Sequence, residues 1–433
     1  MIENDQSLQA AQEVERNFKH NFIFNFLDGA SYWFGYSFLS PAIILPIFLS
    51  RFTSNPILIG LIPFINTTFF LVPQLFTSNW VQSKPVKKYF PVTLGFFFER
   101  VPAMLFPVIA LLFSKDQPGL TVALTLITYG WYCLGTGLIL VGWQDMIAKI
   151  IPVERRGRFF GVTNFAGTAT GLLGSLAVTW VLADFEFPYG YALAFGVAAV
   201  FIFLSWVFLA QTREPPVPST RPPVSFGNYL RSLPGILRRD TNFARFLLSQ
   251  VVISIGAMAA GFLAVYPAQR WNMPDSAAGS FTTAMLLGQA AANLLFGFIS
   301  DRKGHKIVLE IGALSTVLAF GLSLAAPNPA WFQPIFFLRG ISFAALLMSG
   351  VSIPLEFSAP EDRPTYIGLA NTIPGVASSI APLIGGWLAA SAGYPFVFGL
   401  SAAIGALGLA LMHFAVREPR FHRYSEVVEQ QPL

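Results

Sequence analysis

Residues 297–306 read GFISDRKGHK, a short charged loop between two long apolar runs. The run before the loop, 277–299, and the run after it, 307–326, each hold about 20 residues, the length of helix that crosses the hydrocarbon core of a bilayer. The same alternation of long apolar runs and short polar loops continues on both sides of this loop along most of the chain. This pattern predicts a polytopic membrane protein.

Composition agrees with this prediction. Of the 433 residues, 54% are hydrophobic and only 11% are charged, whereas soluble domains contain about 25% charged residues. We therefore expect an all-α integral membrane protein with twelve transmembrane helices. The predicted spans are 21–49, 55–78, 90–113, 120–146, 159–183, 190–210, 243–266, 277–299, 307–326, 333–356, 365–391 and 394–416. Pro41 and Pro46 offer sites for a bend in the long first run.

The distribution of basic residues predicts the orientation. If the N-terminus is cytoplasmic, the basic loops, the central connection and both tails fall inside, and only Arg51, Lys115 and Arg270 fall outside. We expect a multi-pass protein of the plasma (cytoplasmic) membrane with both termini in the cytoplasm. The net charge of +5 does not indicate nucleic-acid binding, because the basic residues lie in short loops between apolar runs. The single cysteine, Cys133, excludes a disulfide framework.

An internal repeat divides the chain. Glu154-Arg155-Arg156 is echoed by Glu361-Asp362-Arg363, and Arg-Glu-Pro at 213–215 is echoed at 417–419. Two halves with the same signals indicate a duplicated six-helix unit. The predicted organisation is an N-terminal cytoplasmic segment, a six-helix bundle, a central cytoplasmic loop, a second six-helix bundle and a cytoplasmic tail. Their bounds are 1–20, 21–210, 211–242, 243–416 and 417–433.

The loop at 297–306 resembles the loop signature of the major facilitator superfamily in its second-half copy, through Gly297, Asp301, Arg302, Gly304 and Lys306. Gly304 would supply a turn with positive φ, and Asp301 could accept hydrogen bonds from a nearby helix start. The resemblance implies two six-helix bundles, a substrate cavity at the midplane and alternating access by rocking. The first-half loop, 79–88, departs from the signature because it lacks the Asp-Arg pair and the glycine.

Ionisable residues inside predicted spans are candidates for substrate binding or coupling, because each is costly in a membrane. Asp28 could carry a coupled proton or could be a structural carboxylate. Neighbours on a helix point about 100° apart, so Glu99 and Arg100 are not expected to pair with each other; Asp28 with Arg100 is one expected pairing. A structural ion-pair network and a coupling role both remain open for this pair. Arg339 could bind an anionic substrate group, hold a carboxylate, or form a structural pair.

Two further groups complete the candidate residues. Trp33 and Gln250 belong to a polar and aromatic set from which some members should line the cavity. Asp145 and Glu356 lie near the ends of the fourth and tenth spans. They are expected to form gate salt bridges with the loop arginines Arg155, Arg156 and Arg363 rather than to contact substrate.

The sequence thus predicts a secondary active transporter of a small molecule, with proton coupling and export of apolar or drug-like compounds as compatible refinements. The alternative is a transporter-fold protein that acts as a receptor, lipid mover or assembly factor. An enzyme is not expected, since four histidines without a cluster offer no metal site, and no phosphate-binding loop for ATP is present. No cofactor is expected, and a proton or other ion gradient would supply the energy. The expected partners are the bilayer and a small molecule, with no nucleic acid, and the protein is expected to be monomeric.

Overall fold

The computed structural model describes residues 2–216, 237, 239–358 and 363–420. Within these residues every regular element is a helix. Most of the predicted central loop and the end of the predicted tail lie outside the described residues. In chain order the α-helices are α1 Ile2–Ser37, α2 Ile44–Ser50, α3 Pro56–Ser83, α4 Val101–Phe113, α5 Pro118–Ile150, α6 Val153–Asp184, α7 Tyr189–Ala210, α8 Thr241–Gly256, α9 Val265–Arg270, α10 Ala277–Lys303, α11 His305–Ala325, α12 Phe332–Phe357, α13 Arg363–Ala392 and α14 Tyr394–Ala415.

Eleven helical segments among the described residues are long and apolar enough to cross a membrane. They correspond to the second to twelfth predicted spans. The predicted first span has a different form, because α1 already begins at Ile2 and the chain breaks between Ser37 and Ile44 before continuing as α2. Pro41 lies in that break, as expected, whereas Pro46 is buried inside α2. Proline has no backbone N–H to donate and clashes with the preceding turn, which accounts for the interruption at Pro41.

The third predicted span contains an irregular stretch. Two π-helical turns, Phe90–Leu94 and Phe96–Arg100, precede α4. In a π-turn each N–H bonds five residues back, so consecutive side chains are rotated by a smaller angle than in an α-helix. This stretch ends at the two charged residues of the span, Glu99 and Arg100.

The chain divides into two compact units. Unit 1 comprises residues 1–54, 65–224 and 274–280, and unit 2 comprises 55–64, 225–273 and 281–433. In unit 1, α1 packs against α6 and α7, and α4 packs against α5 and α7. In unit 2, α8 packs against α13 and α14, and α11 packs against α12 and α14. The pairs follow the same order in both units, as a duplicated set of helices requires.

Each unit has an apolar core near its basic loops. In unit 1, Met146 and Ile150 of α5 pack with Phe159 of α6 and Leu209 of α7. In unit 2, Phe243 and Phe246 of α8 pack with Phe357 of α12. These apolar contacts lie at the helix ends that are joined by the basic loops.

Candidate functional site

A cluster of buried and half-buried polar side chains lies inside unit 1, and we call it the α1 cluster. It comprises Asp28 and Tyr32 of α1, Glu99 and Arg100 of the second π-turn, Tyr132 of α5 and Ser205 of α7. Asp28, Glu99 and Arg100 are buried, with 7%, 2% and 2% of their surface exposed. Charges with so little exposure inside a membrane-spanning bundle require partners from the protein.

Hydrogen bonds connect the cluster across four elements. Ser205 Oγ donates to Asp28 Oδ1 at 2.6 Å, and Tyr32 Oη donates to Glu99 Oε1 at 3.0 Å. The hydroxyl groups of Tyr32 and Tyr132 lie 2.9 Å apart. The charge of Arg100 also acts on Asp28. The cluster therefore contains two carboxylates and one guanidinium.

Arg100 forms an ion pair with its chain neighbour Glu99, so the prediction that these two residues do not pair with each other is wrong. The 100° separation that argued against the pair applies to an α-helix, but the residues lie in a π-turn, where neighbours are closer in angle. Room for the guanidinium comes from Gly95, where an added Cβ would lie 3.0 Å from Arg100 Nη1. The expected Asp28–Arg100 pair is absent from the ion pairs of the described residues, although the positive charge of Arg100 acts on Asp28.

The remaining candidates for substrate contact are distributed over both units. Trp33 follows Tyr32 on α1, packs edge-on against the Tyr32 and Tyr36 rings, and lies against Gly167 of α6. In unit 2, Gln250 lies half-buried on α8 and Arg339 lies half-buried on α12. The structure thus brings Trp33 to the α1 cluster, whereas Gln250 and Arg339 belong to the other unit.

A second arrangement occupies the basic end of unit 1, and we call it the Glu214 clamp. The Glu214 carboxylate accepts the backbone N–H groups of Lys87 and Lys88, at 2.9 and 2.7 Å. It also accepts Lys149 Nζ at 2.8 Å, with its side chain fully buried. Burial lowers the pKa of Lys88, and the neighbouring Glu214 carboxylate opposes that shift. The clamp joins the segment after α7 to the start of the third span and the end of α5.

Unit 2 contains the equivalent arrangement, the Glu418 clamp. Glu418 Oε2 accepts the backbone N–H of Lys306 at 3.0 Å, near the start of α11. Gly304 precedes that helix with φ +85°, the positive φ expected for this loop, and it leaves the space that the Glu418 carboxylate fills. Burial raises the pKa of Glu418, while the Lys306 N–H opposes that shift. The carboxylate at this helix start therefore belongs to Glu418.

The predicted role of Asp301 needs correction for the same reason. Its side chain is exposed, and in the described part of the chain its hydrogen bond is made by the carbonyl, which accepts Arg420 Nη1 at 3.0 Å. Arg302 is exposed as well, and Gly297 has only Met348 near the position of an added Cβ. Lys306 contacts Glu310 at 3.4 Å and donates to the His413 carbonyl at 2.9 Å.

The predicted gate partners are also different. Asp145 pairs with Lys87 at 3.4 Å, not with Arg155 or Arg156. Glu356 pairs with Arg420 at 3.3 Å and lies 3.9 Å from His305. Arg155 pairs with Glu15 of α1 at 2.7 Å.

Arg156 donates to the backbone carbonyls of Ala148 and Ile151. It therefore caps the end of α5, whose last carbonyls have no partner within the helix. The side chain of Arg363 lies outside the described residues.

Sequence reasoning identified the Arg-Glu-Pro repeat but assigned no role to its glutamates. The repeat itself was the available signal, because an acid at the same place in both halves needs equivalent partners in each half if the fold buries it. The identity of those partners depends on which loops meet after folding.

This duplicated helical membrane protein is similar in sequence and in fold to known transporters. Residues 246–432 match the family model described as the Major Facilitator Superfamily. An uncharacterized MFS-type transporter of Methanocaldococcus jannaschii is 24% identical over 262 residues, which cover 59% of this chain and 63% of that protein. An efflux pump of Gibberella fujikuroi is 28% identical over 160 residues, which cover 35% of this chain and 27% of the pump. The chain thus covers less than two thirds of either relative.

Solved structures extend the similarity over nearly the whole chain. A variant of the nucleoside transporter NupG has a TM-score of 0.68 at 14% identity, covering 90% of this chain and 98% of its own. A D-xylose-proton symporter has a TM-score of 0.65 at 15% identity, covering 92% and 98%. Over residues 246–432 the chain is similar to the Major Facilitator Superfamily, and its fold is that of these solved transporters. The predicted fold class, with twelve transmembrane helices, is confirmed, and the segment formed by α1 and α2 corresponds to the first of them.

Proposed function

We propose that the protein is a secondary active transporter that moves a small molecule by alternating access and couples that movement to protons through the α1 cluster. The observation that best supports proton coupling is the charge balance of the α1 cluster. The cluster holds two carboxylates, Asp28 and Glu99, and the single guanidinium of Arg100, which pairs with Glu99. One negative charge is therefore uncompensated when both carboxylates are ionised. A proton removes that charge, and exchange of a proton is the property that ion coupling needs.

Asp28 is the carboxylate that we assign to the proton. Glu99 is held by the Arg100 ion pair and by Tyr32, so both of its oxygens have donors. Asp28 has one hydroxyl partner, Ser205. A hydroxyl can donate to an ionised carboxylate and can accept from a protonated one. Asp28 therefore changes protonation without losing its partner.

The remaining assignments follow the same proposal. The protein lies in the plasma membrane as a monomer, with both termini in the cytoplasm, and the two clamps lie on the cytoplasmic side. The similarity to a fungal efflux pump favours export, and the apolar, aromatic-rich spans suit an apolar or drug-like compound. The similarity to the Major Facilitator Superfamily model and to solved transporters favours transport over an enzymatic role.

The test begins with a thermal-shift screen of small molecules on the purified protein, followed by uptake into proteoliposomes. With a ligand found in this way, we expect a pH gradient to drive accumulation above the equilibrium level, and dissipating the gradient to abolish it. A ligand that binds but never crosses the membrane would support a receptor role and contradict the proposal.

A further inference from the structure

Arg339 is a cation inside a membrane-spanning helix of unit 2. It is the eighth residue of α12 (Phe332–Phe357), about 10 Å from the nearer end at a rise of 1.5 Å per residue. The other basic residues of unit 2 in the described part of the chain lie at or near helix ends, as Arg245 does on α8. Arg339 is therefore the one whose charge lies well within a span.

Among the described residues, one side chain forms a hydrogen bond with the Arg339 guanidinium. Nη1 donates to Thr316 Oγ1 of α11 at 2.8 Å. Thr316 Oγ1 in turn lies 2.7 Å from Ser342 Oγ and 3.2 Å from the Gly312 carbonyl. A guanidinium has five N–H donors, so a single neutral hydroxyl satisfies a small part of its capacity and none of its charge.

No carboxylate among the described residues forms a salt bridge with Arg339. Arg100, a cation inside the third span in unit 1, forms an ion pair with Glu99 and is also acted on by the charge of Asp28. Arg100 therefore has a counter-charge from the described residues, whereas Arg339 has none.

The packing of α10 against α12 explains why no acid reaches Arg339 from that side. An added Cβ at Gly288 would meet the Phe337 carbonyl, and one at Gly340 would meet the Met285 carbonyl. The two backbones are therefore in direct contact beside Arg339, without room for an acidic side chain between them. Arg339 itself remains partly accessible.

An uncompensated charge in a membrane interior is unfavourable, and a counter-anion from outside the chain would neutralise it. We propose that Arg339 binds the anionic group of the substrate, and that the substrate is an organic anion with a single carboxylate or similar group on an apolar body. The guanidinium fork matches a carboxylate through two parallel hydrogen bonds. One cation at this depth suits one negative charge, and the surrounding apolar span suits the remainder of the molecule. This inference rests on the proposed function only in identifying the bound anion with the transported compound.

The test uses matched pairs of ligands on the full-length protein in detergent. Benzoate, phenylacetate and hexanoate are compared with their neutral primary amides by thermal shift and by titration calorimetry. We expect the wild type to bind at least one of the three anions and to bind it more tightly than its amide. Arg339→Gln should weaken anion binding about tenfold or more, as loss of a charge-assisted bidentate contact does. Arg339→Lys should retain part of the preference, and Arg245→Gln, which removes an exposed cation of unit 2, should leave it unchanged.

A second measurement needs no ligand. If Arg339 lacks a counter-ion in the protein, Arg339→Gln removes an unfavourable charge, and the Tm without ligand should rise by about 2–4 °C. A fall in Tm would show a structural partner and overturn the inference, as would equal affinity for anions and amides or unchanged anion binding in Arg339→Gln. Anion binding without transport in liposomes would contradict the proposed function and leave the binding of an anion by Arg339 standing.

Discussion

Asn21 and Arg213 exchange two hydrogen bonds between α1 and the segment after α7. Asn21 Nδ2 donates to the Arg213 carbonyl at 2.9 Å, and the Arg213 backbone N–H donates to Asn21 Oδ1 at 2.8 Å. Asn242 and Arg417 repeat the exchange in unit 2 at 3.0 and 2.8 Å. The duplication therefore extends from helix order to individual atoms, and each exchange positions the glutamate of the adjacent clamp.

Replacement of either asparagine should weaken its unit. Asn21→Ala leaves the part-buried Arg213 backbone groups without these partners and should reduce stability by about 1–3 kcal/mol. Asn242→Ala should have a smaller effect, because its exchange with Arg417 is exposed. Asn164→Ala, at an exposed position of α6, is the matched control and should change stability by less than about 0.5 kcal/mol. Denaturant unfolding in detergent measures all three. Equal effects at Asn21 and Asn164 would rule out a role for the exchange.

The Glu214 clamp should be energetically coupled to Lys149. Glu214 is fully buried and pairs with Lys149 Nζ, so Glu214→Ala leaves a partly buried cation and two backbone donors unsatisfied. We expect a loss of about 3 kcal/mol. A double-mutant cycle with Glu214→Gln and Lys149→Met should give a coupling energy of about 1 kcal/mol or more. Additive effects of the two substitutions would show that the pair is not coupled.

Glu418 should make stability depend on pH. Burial raises its pKa above the ordinary value of 4.5, so the folded protein holds this proton more tightly than the unfolded chain. The resulting contribution is complete below about pH 4.5 and is lost as the pH rises through the folded-state pKa. Glu418→Gln cannot titrate, and its Tm should fall less than that of the wild type between pH 4.5 and 8. Lys306, Glu356 and Arg420 face this group and are kept unchanged. Parallel curves for both proteins would disprove the assignment.

The π-turn beside the α1 cluster should depend on Gly135. An added Cβ at Gly135 of α5 would meet the backbone of Phe98, which belongs to the turn that places Glu99 and Arg100. Gly135→Ala should therefore reduce stability and the yield of folded protein. Gly196→Ala, where an added Cβ meets nothing within 4 Å, should be neutral or stabilising by up to about 1 kcal/mol. Size-exclusion profiles and Tm values distinguish the two variants, and a stable Gly135→Ala protein would refute the close contact.

Hydropathy predicted most of the fold, because the bilayer sets the length of each apolar run. The bounds of α7 and α14 differ from the predicted spans 190–210 and 394–416 by one residue, since polar or charged residues follow directly. The first span was predicted less well. The polar residues before position 21 continue α1, and only the packing of the chain shows where the helix breaks near Pro41.

The candidate site was predictable by residue type but not by partner. The charges of Asp28, Glu99, Arg100 and Arg339 stand out in apolar runs. Their contacts depend on the π-turn and on helix packing, which a regular helical period does not encode. The same holds at the loops, where Glu214 is far in sequence from Lys87 but adjacent in the fold.

Transport by Asp28→Asn in proteoliposomes is the decisive test of proton coupling through the α1 cluster. With a ligand from the thermal-shift screen, we expect this variant to lose accumulation driven by a pH gradient but to keep counterflow exchange of the labelled ligand. The reason is that the amide retains the Ser205 contact but cannot exchange a proton. Asp116→Asn, at an exposed loop position, should behave like the wild type in both assays. Accumulation by Asp28→Asn equal to that of the wild type would contradict the assignment of the coupled proton to Asp28.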